Sequence, residues 1–239
     1  MTPSRQVMAW AVHCYTGLGL PLAFVQVLAL SQGRSGASVF FLAMWAACVV
    51  DSTDGTLARR VRVREVLPGF DGRKLDDIVD YLNFVFLPVL ALPALGLLDP
   101  GLTWLAVVPL CASGYGFCQE RAKTEESFVG FPSYWNVLVL YLYVLAVPPV
   151  VSASVVVGLS ILVFVPIHYI YPSKAKLLRR TTLAFGSVWA LMLIPLCLVP
   201  DAPWAPVVAW GSIPFPLYYL IVSVVHHVRN HRRETAVTT

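Results

Sequence analysis

Six of the chain's eight aspartates fall between positions 51 and 80, in two runs that border long apolar stretches. The first run reads Cys48-Val-Val-Asp51-Ser-Thr-Asp54-Gly55-Thr-Leu-Ala58-Arg59. On a helix turning about 100° per residue, Asp51, Asp54, Gly55, Ala58 and Arg59 share an arc of about 140°. The second reads Gly72-Arg-Lys-Leu-Asp76-Asp77-Ile-Val-Asp80-Tyr-Leu-Asn83, where spacings of four, four and three put Gly72, Asp76, Asp80 and Asn83 on one face. Two antiparallel helices joined by the short segment between these runs can turn their carboxylates toward each other. Clustered carboxylates repel unless a cation neutralises them. Hard, oxygen-seeking ions do this well, and with no Cys or His motif nearby Mg²⁺ or Mn²⁺ is favoured over Zn²⁺. Two such ions about 4 Å apart form a clamp suited to phosphoryl transfer. A proton or cation pathway, or a charge cluster paired with the local arginines, remains the competing reading of the same spacing.

The elements that must hold these groups are membrane spans. Of 239 residues, 58% are hydrophobic and only 13% charged, and the mean hydropathy is +0.72. Soluble domains carry about 25% charged residues. That excludes a water-soluble globule, a disordered chain and a basic nucleic-acid binder. Five cysteines lie scattered in apolar runs without metal-ligand or disulfide spacing. Stretches of about 20 apolar residues can cross a bilayer, and eight segments qualify: 7–30, 37–58, 76–98, 102–118, 134–150, 152–171, 181–199 and 206–228. The first is too long for a signal peptide's apolar core and contains His13 and Gln26. With eight spans, 16 of the 17 Lys and Arg residues fall on one side and Arg34 alone on the other. By the positive-inside rule that side, with both termini, is cytoplasmic. The expected fold is an all-α polytopic transmembrane bundle of about eight spans, one membrane-embedded domain over 1–239. Its aspartates occupy a cavity open to the cytoplasm, and Asp51 lies about 12 Å deeper than Arg59 at 1.5 Å per residue. A charge at such depth costs a few kcal/mol and marks a candidate functional site.

The pattern Asp51-x-x-Asp54-Gly55-x-x-Ala58-Arg59, then Gly72-x-x-x-Asp76-x-x-x-Asp80, resembles the signature of the CDP-alcohol phosphotransferase family. The twelve residues between Arg59 and Gly72 make a longer connection than most of that family has. The segment 66–83, the stretch Val12-His-Cys-Tyr-Thr-Gly-Leu-Gly19, the runs 115–125 and Gly130-Phe-Pro-Ser-Tyr-Trp-Asn136, and His168-Tyr-Ile-Tyr-Pro-Ser-Lys174 are similar to its choline-accepting bacterial branch. The resemblance covers about residues 10 to 180, which leaves the last two spans, 181–228, peripheral. It implies that CDP-diacylglycerol and choline give phosphatidylcholine and CMP, with two Mn²⁺ or Mg²⁺ ions per site. Asp51, Asp54 and Asp76 would hold the ions on the diphosphate, and Asp80 would be a ligand or the general base for the choline hydroxyl. Gly55 and Ala58 would leave room for the nucleotide, Arg59 would contact its phosphates, and Gly72 would keep the third span's start clear of it. Arg73 beside the motif is placed to touch a phosphate. The same resemblance implies a homodimer in a bacterial inner membrane.

Choline's quaternary nitrogen has no N–H, so cation–π contacts and nearby negative charge must hold it. At the depth of the aspartates the candidates are Tyr115, Glu120, Tyr134, Trp135 and Asn83. The interfacial belt of Tyr and Trp common to membrane proteins is the competing explanation for the aromatics. Two alternative functions stay open: transfer to serine, inositol phosphate or glycerol phosphate, and divalent-cation transport. Transport would need polar residues continuing across the bilayer, whereas Val39–Val50 and Phe84–Leu98 are apolar.

Overall fold

The computed structural model describes residues 3–119, 127–170 and 179–238. Within them the chain forms α1 (Pro3–Gly17), α2 (Gly19–Leu30), α3 (Ala37–Val61), α4 (Val63–Val66), α5 (Gly72–Asp80), α6 (Leu87–Ala94) and α7 (Val107–Cys118). Then follow α8 (Trp135–Val144), α9 (Pro149–Leu162), α10 (Arg179–Leu198), α11 (Ala205–Ser212) and α12 (Pro214–Thr238). Five helical stretches are long and apolar enough to cross a membrane: Pro3–Leu30, Gly33–Val61, Pro100–Cys118, Arg179–Leu198 and Ala205–Val228. They agree with a helical membrane protein. So do the large apolar side chains turned outward, among them Trp104, Leu191, Val207, Trp210 and Ile221, which a bilayer can cover without cost.

Local chemistry explains where the helices bend. Pro21 lacks the N–H that would bond the Gly17 carbonyl, and the Leu18 N–H reaches back only to Tyr15 (3.0 Å), so α1 and α2 meet at a break. α3 ends where Arg62 adopts a left-handed conformation, φ 55°, with its N–H on the Ala58 and Arg59 carbonyls. α5 starts at a side-chain cap: Asp71 Oδ1 accepts from the backbone N–H groups of Arg73 (3.1 Å) and Lys74 (3.3 Å). Between α5 and α6 lies a π-helical stretch, Tyr81–Phe86, the wide-turn geometry often found at functional sites. Asn83 Nδ2 donates there to the Val79 carbonyl (2.9 Å), the acceptor that Asn83's own N–H would take in a regular helix.

One apolar core draws residues from Ala23 to Ala209, with Phe40, Phe41, Val85, Leu92, Trp135, Leu140 and Leu196 at its centre. The sequence expects the sixth span to stay helical to 171. Instead α9 stops at Leu162, and His168–Ile170 forms a strand, β2, antiparallel to β1 (Ser127–Val129) with Phe128 opposite Tyr169. A tight crossing fixes this corner. Gly130, at φ +82°, lies so close to the Val163 carbonyl that a Cβ could not fit. β2 is also bound to α12: the Ile170 N–H donates to Ser223 Oγ (3.2 Å), its carbonyl accepts from Tyr219 Oη (3.1 Å), and the His168 N–H donates to His227 Nδ1 (3.3 Å). α10 packs on α3, with Trp45 Nε1 on the Ala190 carbonyl (3.3 Å). The last two spans, peripheral by sequence, are thus tied to both the acidic helix and the β corner.

Candidate active site

α3 contributes Asp51 and α5 contributes Asp76 and Asp80. One carboxylate oxygen from each lies within 4.8 Å of the others, and the carboxylates run from exposed at Asp51 through half-buried at Asp76 to buried at Asp80. The four-residue spacing stacks Asp76 over Asp80 on one stripe of α5, and the Asp71 cap fixes where that helix begins. The donor set is carboxylate oxygen throughout, which suits a hard divalent cation, so the three residues could hold a metal ion.

Asp54 belongs to the same stripe of α3 but is held differently. It is buried, and its Oδ2 accepts a 2.8 Å hydrogen bond from Thr16 Oγ1 of α1. One residue back on each helix, the Tyr15 and Thr53 hydroxyls are hydrogen bonded at 2.8 Å. Gly55 is half-buried, and a Cβ there would meet Arg59 Nη1 at 3.3 Å, so the guanidinium lies across the glycine. Arg59 Nη2 donates to Thr56 Oγ1 at 3.0 Å, and Ala58 is half-buried beside it. Arg73 is exposed at the start of α5. Gly72 is small for a reason the sequence does not reveal: a Cβ would stand 2.5 Å from His13 Cε1. The His13 ring packs against Phe70 (centroids 4.4 Å apart), and Trp10 closes the cluster. Sequence reasoning gave Thr16 and His13 no role. Their signal was two polar residues three apart inside an apolar span, on one helical face.

The residues proposed for the choline headgroup lie in different surroundings. Glu120 lies outside the described residues. Asn83, expected to face the cavity, is 0% exposed, and its carboxamide is fully engaged by Gln26 Nε2 (2.7 Å), the Gly19 carbonyl (3.1 Å) and the Val79 carbonyl (2.9 Å). Trp135 is also 0% exposed. Its Nε1 donates to Ser113 Oγ (2.8 Å), and its ring sits in the apolar core against Phe131. Neither presents a free polar atom or an open face to a cavity. Tyr115 is exposed on α7 and lies against Phe164 (5.0 Å). Tyr134, at the start of α8, places its hydroxyl 3.4 Å from that of Tyr219 and contacts Phe131.

No protein-family model matches the chain. Individual proteins do. It is 37% identical over 193 residues to a phosphatidylcholine synthase of Pseudomonas aeruginosa, covering 80% of each chain. It is 34% identical over 227 residues to the Rhizobium meliloti phosphatidylcholine synthase, covering 93% of this chain and 92% of that one. A third relative of the same name, from Legionella pneumophila, is 39% identical over 188 residues, covering 75% of this chain and 71% of its own. Identity at that level over most of both lengths is a relationship of whole proteins, and the chain belongs to the phosphatidylcholine synthase family.

Proposed function

We propose that this protein transfers the phosphatidyl group of CDP-diacylglycerol to choline, releasing CMP, in a reaction that depends on Mn²⁺ or Mg²⁺. The observation that carries this reading is the meeting of Asp51, Asp76 and Asp80 within 4.8 Å in a chain whose relatives are phosphatidylcholine synthases. Two divalent ions held by Asp51, Asp54, Asp76 and Asp80 would polarise the diphosphate oxygens and stabilise the departing CMP.

The chain's own groups supply the rest. Asp80 accepts the proton of the choline hydroxyl as that oxygen bonds to the phosphorus bearing the diacylglycerol. The bond from this phosphorus to the bridging oxygen breaks, and CMP leaves with the electron pair. General-base help of this kind contributes about 10²–10⁴-fold. Thr16 holds the Asp54 carboxylate in place, while Arg59, folded over Gly55, is positioned for the nucleotide phosphates. Arg73 reaches the same phosphates from α5. Tyr115, Tyr134 and Glu120 remain the candidates for the ammonium pocket. The protein crosses a bacterial inner membrane about eight times with both termini and the acidic cavity cytoplasmic, and it works as a homodimer.

The test is CMP release by protein purified in detergent, given CDP-diacylglycerol, Mn²⁺ or Mg²⁺ and labelled choline. Serine, inositol phosphate and glycerol 3-phosphate serve as parallel acceptors. Choline-dependent release that disappears in Asp80→Asn is expected. Turnover with another alcohol alone would overturn the choline assignment. Failure with every acceptor, in protein that still binds divalent metal, would favour transport.

A further inference from the structure

Two amides sit where an apolar bundle should have none. Gln26 of α2 and Asn83 of the π-helical stretch are both 0% exposed. In hydrocarbon surroundings an unbonded amide costs several kcal/mol, so this pair must be positioned with care. Asn83 uses its carbonyl for Gln26 Nε2 and both amide hydrogens for the Gly19 and Val79 carbonyls. Those carbonyls belong to different helices, so one side chain bolts α2 to the end of α5. The helices approach closely there, since a Cβ on Gly19 would collide with Val79 Cγ1. Val79 immediately precedes Asp80, and the π turn begins immediately after it.

The location decides what the bolt controls. Asp80 must meet Asp76 from its own helix and Asp51 from α3, so the height and rotation of α5 set the cluster's geometry. A regular helix would carry the Asp80 face on through Asn83. The widened turn lets Asn83 face α2 instead while Asp76 and Asp80 stay turned to α3. Among the described residues Gln26 Oε1 has no hydrogen-bond partner.

We infer that Gln26 and Asn83 are positioning residues that hold α5 at the height and rotation at which Asp80 completes the acidic cluster. They act on metal binding without touching either substrate. The inference rests on the proposed metal site and is independent of which alcohol accepts the phosphatidyl group.

The experiment compares Gln26→Met and Gly19→Ala with the unaltered protein, all purified in detergent. Gln26→Met keeps the volume and removes the orphaned oxygen together with the bond to Asn83. Gly19→Ala pushes α5 away without removing any polar group. Mn²⁺ binding is read by electron paramagnetic resonance without substrate, beside thermal unfolding and the KM for choline. Both variants are expected to weaken Mn²⁺ binding at least fivefold and to leave the choline KM within twofold. A lower unfolding temperature with unchanged Mn²⁺ affinity would reduce the pair to packing and overturn the inference. A raised choline KM with unchanged Mn²⁺ affinity would also overturn it, returning Asn83 to the substrate pocket. If the unaltered protein binds Mn²⁺ but turns over no choline, the choline assignment fails while the effect of the variants on Mn²⁺ still decides this inference.

Discussion

Thr16→Val removes one hydroxyl and leaves the shape of the side chain almost unchanged, so it isolates the hydrogen bond to Asp54. That bond is 2.8 Å long and ends on a carboxylate only 6% exposed, so water is poorly placed to replace it. A hydrogen bond to a charged group is worth about 1.5–3 kcal/mol, and every 1.4 kcal/mol is tenfold in rate. If Asp54 must be held in one orientation for diphosphate binding and transfer, kcat/KM for CDP-diacylglycerol should fall by about 10- to 150-fold. The assay is CMP release at saturating choline and Mn²⁺, with the fold checked by thermal unfolding in detergent. Thr16→Ser, which keeps the hydroxyl, should recover activity to within about threefold, since it gives up only a methyl group. Activity of Thr16→Val within twofold of the parent would refute the reasoning. So would an equal loss in the serine variant, because the hydroxyl would then not be the cause.

Two further outcomes follow from the packing. Gly72→Ala drives a Cβ into His13, 2.5 Å from Cε1, and overpacking of this kind costs about 1–3 kcal/mol. Its unfolding temperature should drop, and adding His13→Ala should recover most of the loss. Trp135→Phe loses the 2.8 Å bond to Ser113, and a neutral hydrogen bond contributes about 1 kcal/mol. The KM for choline should not change; a tenfold rise would put Trp135 back in the headgroup pocket.

The acidic cluster was legible because helical spacing carries direction. Asp51 and Asp54, or Asp76 and Asp80, stand on one face of any helix that contains them, and the structure brings Asp51, Asp76 and Asp80 together. Extending the same periodicity to Asn83 failed because the π turn changes the phase after Asp80. Within that turn Asn83 bonds across to Gln26 and Gly19 of α2, contacts that local spacing does not contain. Thr16 and Asp54 are 38 residues apart, and which face of α1 meets α3 is decided by packing. Trp135 at the start of an apolar run looks the same in sequence whether it anchors at an interface or fills a core. The β1–β2 pair was invisible because three-residue strands are too short to show alternation.

The binding of β2 to α12 also imposes an order on assembly. Residues 168–170 are synthesised some fifty positions before the side chains of Tyr219, Ser223 and His227 that receive them. Until α12 is in place, the backbone N–H of His168 lacks its acceptor and Ile170 lacks partners for its N–H and carbonyl on that helix. β1, already made, can pair with the strand but cannot supply those bonds. The acidic helices come from neighbouring stretches of chain, whereas the full set of bonds at this corner needs α12. The three bonds that tie β2 to α12 therefore form only after α12 has been made.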